Sequence, residues 1–210
     1  MMFNLSAVGL DAVYHSAVRL VLASASPRRA QLLSEAGYDF DVAPAEIDER
    51  RCEGEDPRRY VVRVAHAKAV AVAAAFPQRV VLGADTVVLI DDLVFGKPTN
   101  RAEAKRMLAR LSGRSHDVLT GVVLMRDAHF LEGLELTHVT FTSLADSWIE
   151  WYVSTGEPAD KAGAYAAQGI GSRFVERIDG SYTNVVGLPI ALVARLLGQL
   201  ESEDMENGAP

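Results

Sequence analysis

Residues 80–90 read VVLGADTVVLI, a run of aliphatic and β-branched side chains interrupted only by Gly83, Ala84, Asp85 and Thr86. Lack of polar alternation over that length is the mark of a strand buried on both faces, at the centre of a sheet with helices packed on it. Working outward, Arg19 to Ala23 repeats the pattern with Leu20, Val21 and Leu22. Ser26 and Pro27 then start a helix whose apolar face is Leu32, Leu33 and Ala36, stopped at Gly37. Phe40 and Val42 mark a short strand, and Asp56 and Pro57 open a long helix running to about Phe76. After the central run, Asp91 and Asp92 turn the chain into Leu93 to Phe95, and Asn100 caps a helix through Leu111. Two longer strands, about His116 to Met125 and Glu132 to Thr142, form a hairpin. A helix follows from about Asp146 to Ser154, then a polar, glycine-rich stretch from Gly156 to Gly187 and a last helix from Pro189 that fades by Leu200. Alternating βα units with an antiparallel hairpin predict an α/β domain with a mixed twisted sheet flanked by helices. Residues 18–200 form one domain in this reading, with 1–17 an N-terminal extension and 201–210 an acidic flexible tail.

The 210 residues carry 21 Lys and Arg against 28 Asp and Glu, a formal charge of −7. No dense basic stripe is present, which argues against a nucleic-acid partner. Cys52 is the single cysteine, so an internal disulfide is excluded and a cytoplasmic location is expected. The best uncharged apolar stretch, Ala69 to Phe76, is far short of the ~20 residues of a membrane helix. No membrane partner is expected.

Several residues break the local pattern. Asp85 places a carboxylate inside an apolar strand. It either pairs with a buried donor as a structural group or faces a cleft as metal ligand or general base. Lys68 falls on the stripe formed by Val61, Val64, Ala65 and Val72. It either snorkels at the core edge or points at a site. Ser24-Ala25-Ser26-Pro27-Arg28-Arg29 is a small-residue turn at a helix N-terminus, a natural seat for phosphate with two cationic forks beside it, although the GxxxxGK[ST] loop is absent. Lys97 and Lys161 stand in loops beside Gly and Pro or Gly. Four separate basic sites around one buried aspartate describe a polyphosphate site. Asp48 and Glu49 are loop carboxylates that could join Asp85 around a divalent ion.

Other constellations fail. The five histidines show no metal-ligand spacing, Cys52 has no partner that would make it a nucleophile, and Gly-x-Ser-x-Gly is missing. Trp148, Trp151 and Tyr152 stand at helical spacing and are expected in the core.

Assembled in order, LVLASASPRRAQLLSEAG, IDE, AHAKA, VLGADTVV, GKP, MLARLSGRSHDVLTGV, STGEPADKAGAYAAQG and IDGSYTNVVGLP closely resemble the Maf family of nucleoside triphosphate pyrophosphatases, from about Arg19 to Leu200. The resemblance implies a two-lobed α/β protein with a central cleft, similar to inosine triphosphate pyrophosphatases. It implies cleavage between the α and β phosphates of a nucleotide with a divalent cation, Mg²⁺ or Mn²⁺. Asp85 matches the proton acceptor, and Glu49 with Asp85 the acidic residues near the metal. Ser24, Arg29, Lys68 and Lys97 match residues lining the triphosphate, and Lys161 lies in a segment beside the nucleotide.

Three further positions bear on the branch of the family. Arg28, Thr86 and Gln168 look like the set of the branch acting on dTTP and UTP; the 7-methyl-GTP branch usually has an aromatic residue, Gln and Glu there. A glutamine offers a donor and an acceptor, which suits the imide edge of uracil or thymine. The expected activity is therefore metal-dependent hydrolysis of dTTP and UTP, and a homodimer is expected, as is common in such folds. Its rivals are a nucleotide-binding regulator of septum formation, the 7-methyl-GTP branch, and an enzyme acting on a sugar phosphate.

Overall fold

The structure is a computed structural model that describes residues 18–207. The expected extension, 1–17, lies outside the described residues, as do 208–210 of the expected tail.

Seven strands form one mixed sheet in the order β2-β1-β3-β5-β6-β7, with β4 also paired to β3. Strands β1 (Leu20–Leu22) and β2 (Phe40–Val42) are parallel to each other, and β1 is parallel to the central strand β3 (Val81–Ile90). Strand β4 (Leu93–Phe95) folds back on β3 after a turn in which Asp91 takes a φ of 53°. The long hairpin of β5 (Ser115–Arg126) and β6 (His129–Phe141) pairs with the opposite edge of β3, Val81 facing Met125 and Leu89 facing Asp117.

Alternation along β3 sorts the core. Odd residues, Val81 and Val87 among them, face helix α2 (Pro57–Ala73), and even residues face the other side. Gly83 and Gly121 lie directly under α2: a Cβ at Gly83 would come 2.1 Å from the Ala65 carbonyl oxygen, and one at Gly121 2.5 Å from that of Val61. On the even face two separate cores form. Leu82 and Ala84 pack with α1 (Pro27–Glu35) and α6 (Ile190–Asn207), while Val88 and Ile90 pack with α3 (Arg101–Leu111) and α4 (Asp146–Ser154). A cleft separates them, and these are the two lobes the resemblance implied.

Local chemistry accounts for the helix starts. Pro27 and Pro57 open α1 and α2; the Asp56 carboxylate accepts from the Arg58 and Arg59 N–H groups, and Asn100 caps α3 through Glu103 N–H. Between 156 and 187, where the sequence reading placed only a polar stretch, the chain makes three 3₁₀ turns (Glu157–Asp160, Ala162–Ala164 and Ile170–Phe174), strand β7 (Val175–Asp179) and the short helix α5 (Tyr182–Val186).

Two expectations are corrected. Helix α6 does not fade at Leu200 but continues to Asn207, since no Gly or Pro lies between Leu200 and Gly208 and His129 holds the Glu203 carboxylate at 2.7 Å. Trp148 and Trp151 are not core residues, being 51% and 44% exposed. The nine-residue α4 buries only one face, through Ile149, Tyr152 and Val153, and leaves both indoles on its flank, where Arg173 stacks on Trp151 at 5.6 Å. No described helix is long and apolar enough to cross a membrane.

Candidate active site

The cleft is a consequence of strand lengths. Strand β1 pairs with β3 only at Val81 and Leu82, and β4 pairs with it only from Val88 to Ile90. Since β5 occupies the other edge throughout, residues 83–87 have no strand partner on the β1 side. The turn Ser24–Arg29 leaves β1 there, and a cleft of about 600 Å³ opens, within the size range of small-molecule sites.

Asp85 and Thr86 stand side by side on that bare edge but point to opposite faces. Asp85, on the α2 face and 7% exposed, accepts from Lys68 Nζ at 2.8 Å. Lys68, 6% exposed, reaches the Glu49 carboxylate with the same ammonium at 2.9 Å. So Lys68 does not snorkel, and Asp85 has a buried donor and faces the cleft as well. Burial of the pair is tolerated because each charge has its counter-charge and Glu49 lies half in solvent. Tyr60 on α2 donates to the Glu49 carbonyl at 2.8 Å and so fixes the loop carrying that carboxylate. Burial, with the Asp85 and Glu49 charges adding to it, pushes the Tyr60 hydroxyl up to about 12.

Thr86 faces the other way, into the gap between the cores. Its hydroxyl lies 2.9 Å from Thr120 Oγ1, accepts from Arg29 at 3.1 Å and reaches the Gly187 carbonyl at 3.3 Å. Arg29 is itself buried, donating through Nε to the Gly187 carbonyl at 2.9 Å and through Nη1 to Ser24 Oγ at 3.0 Å. All three guanidinium nitrogens are thus engaged within the protein. Arg29 and Ser24 brace the turn Ser24–Arg29 against β3 and the Gly187 carbonyl, and both line the cleft. Burial lowers the Arg29 pKa, and the nearby Asp85 carboxylate opposes that shift.

The second lobe supplies the facing wall. Lys97, Lys161 and Gln168 all line the cleft. Asp160, which the sequence reading missed, crosses the gap: it accepts from Arg28 Nη1 at 2.9 Å, its carbonyl accepts from Arg28 Nη2 at 3.0 Å, and its carboxylate also holds Lys161. Burial works to raise the Asp160 carboxyl, but hydrogen bonds from Lys161 and Arg28 outweigh it and hold it below the usual carboxylate range. Its only sequence signal was the acid placed immediately before Lys161. Asp48 is not part of the site. It turns outward to Arg50, with Oδ2 2.6 Å from Nη2, and the hydrogen bonds from Arg50 bring its carboxyl down to about 2.

Among the described residues no three His, Cys, Asp or Glu side chains cluster as a metal cage. Glu49 and Asp85 nevertheless sit on one ammonium and present hard oxygen donors at the cleft floor. Mg²⁺ and Mn²⁺ favour that chemistry, taking one or two carboxylates and completing their shell with substrate phosphates and water.

Behind the second wall, His116 is buried against Phe141 and hydrogen bonds Tyr165 Oη at 2.9 Å; its Nδ1 has no partner among the described residues. Burial brings its pKa down from 6.5 to about 4. The unfolded chain binds a proton there before the folded one does, so stability should fall as pH drops from about 6.5 to 4, by about 3 kcal/mol in total. Urea unfolding across that window, compared with His116→Phe, reads the contribution; equal pH slopes in both would remove it.

The chain matches the family described as Maf-like protein over residues 19–200. It is 55% identical over 186 residues to the dTTP/UTP pyrophosphatase of Anaeromyxobacter dehalogenans, covering 86% of this chain and 93% of that relative. It is 49% identical over 191 residues to the protein of the same name from Symbiobacterium thermophilum, covering 91% and 98%. Among solved structures, a HAM1 protein from Coxiella burnetii aligns over 87% of this chain and 99% of its own at 16% identity and a TM-score of 0.47, too distant to carry an argument. The family match over nearly all the described residues, together with the two relatives, establishes that the chain belongs to the Maf-like protein family.

Proposed function

We propose that this protein hydrolyses dTTP and UTP at the bond between the α and β phosphates, giving the nucleoside monophosphate and pyrophosphate with the help of Mg²⁺ or Mn²⁺. The observation that carries the proposal is the buried Lys68–Asp85 pair, with Glu49 on the same ammonium, at the bare edge of β3. The names of the relatives support the pyrimidine substrates, as do Arg28, Thr86 and Gln168 in one cleft.

In the reaction a water oxygen attacks the α phosphorus, the bond to the oxygen bridging to the β phosphorus breaks, and pyrophosphate leaves. Asp85 orients that water and takes its proton. Lys68 fixes the carboxylate in place and balances its charge in a site removed from bulk water. Arg28, Lys97 and Lys161 face the space where the triphosphate would lie and oppose the charge that builds on the leaving group. Glu49 and Asp85 would hold the cation, which supplies Lewis-acid neutralisation of the phosphates.

Pyrophosphate release from dTTP, UTP, CTP, GTP, ITP and 7-methyl-GTP, with and without Mg²⁺ or Mn²⁺, tests the assignment. Metal-dependent release confined to dTTP and UTP is expected. Release from 7-methyl-GTP instead would move the protein to the other branch, and nucleotide binding with no release at all would favour a regulator. In the same assay Gln168→Glu should lower kcat/KM for dTTP and UTP on the order of tenfold, because a carboxylate cannot donate to the base. The metal requirement should be unaltered. Unchanged efficiency would take Gln168 out of base recognition.

A further inference from the structure

The loop that carries Gln168 has no regular secondary structure, yet its backbone is pinned on both sides by one side-chain pair. Glu157 Oε1 accepts from the Tyr152 hydroxyl at 2.8 Å and from Gly171 N–H at 2.9 Å, and Oε2 accepts from Ile170 N–H at 3.0 Å. The oxygen of Tyr152 in turn accepts from Ala166 N–H at 3.2 Å. The tied amides are therefore two residues before Gln168 and two and three after it. Tyr152 is fully buried, its ring edge-on to Phe174 at 4.9 Å, so the anchor is part of the second core. The fit around it is close: a Cβ at Gly171 would lie 2.6 Å from the Tyr152 oxygen, and one at Gly169, where φ is 84°, 2.8 Å from Glu157 Oε2. Neither Tyr152 nor Glu157 lines the cleft, whereas Gln168 does.

We propose that Tyr152 and Glu157 are positioning residues for base selectivity, holding the backbone around Gln168 so that its amide meets the edge of the pyrimidine in one orientation. This role rests on the reading of Gln168 as the base-recognising side chain. Uracil presents a donor at N3 and an acceptor at O4, and cytosine reverses both, so an amide that can shift or turn loses that distinction first. The phosphates, gripped elsewhere in the cleft, keep their alignment with Asp85. A relaxed loop therefore raises KM for the preferred base and leaves kcat nearly intact.

The test uses Tyr152→Phe, which keeps the ring and removes the hydroxyl, and Glu157→Gln, which turns an acceptor into a donor facing N–H groups. In both, the ratio of kcat/KM for UTP over CTP should fall on the order of tenfold through KM, with kcat for UTP within about twofold of the unmodified protein. Folded variants that keep the original ratio, or that lose kcat equally for every nucleotide, would overturn the role and leave a merely structural one. Amide hydrogen exchange on the unmodified protein tests the clamp on which the role depends even if both variants fail to fold. Exchange at Ala166, Ile170 and Gly171 as slow as along β3 supports the clamp, and exchange as fast as in an open loop overturns it. An unmodified protein that cleaves UTP and CTP equally well, or neither, would instead overturn the substrate reading beneath it, and that is seen before any variant is made.

Discussion

Asp85→Asn is expected to lower kcat for dTTP and UTP about a thousandfold while leaving thermal unfolding nearly unchanged. The amide keeps the volume and shape of the carboxylate in its place on β3, and its oxygen can still accept from Lys68. Lys68 also retains the Glu49 carboxylate at 2.9 Å, so no buried charge is stranded. What the variant loses is the group that takes the proton from water. Steady-state pyrophosphate release read beside a melting curve separates the two effects. Turnover near that of the unmodified protein would remove Asp85 from the chemistry, and a large fall in melting temperature would mean that the pair is mainly a structural bond.

Gly83→Ala should have the largest effect on stability, about 3 kcal/mol, or a fall of roughly 10 °C in the unfolding midpoint. Gly83 is the point at which α2 rests on β3, and the added methyl would meet the Ala65 carbonyl oxygen at 2.1 Å and the Ala69 nitrogen at 3.0 Å. Both are backbone atoms of a helix that cannot rotate away as a side chain could, so α2 must lift as a body. Lys68 sits on α2 between these residues, and the same displacement should draw its ammonium from Asp85 and lower activity. Gly198 provides the opposite sign. It stands in α6 with open space around the position of its Cβ, and Gly198→Ala should stabilise by up to about 1 kcal/mol through helix propensity alone. Thermal unfolding of the two variants side by side checks the pair; a Gly83→Ala protein as stable as its parent would mean that the helix seat is looser than the distances say.

The parts of this architecture legible from the sequence were those with a strong local signal. A near-continuous apolar run predicts β3, two longer strand segments predict the hairpin, and Pro and Asp predict the start of α2. The site was legible for the same reason in reverse: Asp85 and Lys68 violate patterns that their neighbours keep, and a violation inside a buried element needs a partner. Strand β7 escaped because its sequence, VERID, is largely exposed and charged and joins the sheet only as an edge of β6. The Ile170–Phe174 turn escaped because its start is held by the Glu157 carboxylate, a contact that leaves no periodic trace. Arg29 was recognisable as a site residue, but its engagement with Gly187, 158 positions away, is a tertiary fact. The two indoles of α4 misled because helical spacing says which residues share a face and not which face is covered.

The floor of the cleft is built from strands that run without a break beneath both cores. Strands β3, β5 and β6 span 10, 12 and 13 residues, and β5 pairs residue by residue with each of the others. The two lobes are therefore not bodies joined by a linker, and there is no hinge about which they can swing without bending three hydrogen-bonded strands together. Lobe closure of the kind that gates many enzymes would here have to bend or twist the shared sheet. The mouth of the cleft is instead spanned by a tie between side chains, Arg28 to Asp160, and side chains exchange partners within nanoseconds. On the proposed function, an arriving polyphosphate would compete with the Asp160 carboxylate for the Arg28 guanidinium, a contest between exposed charges that salt weakens.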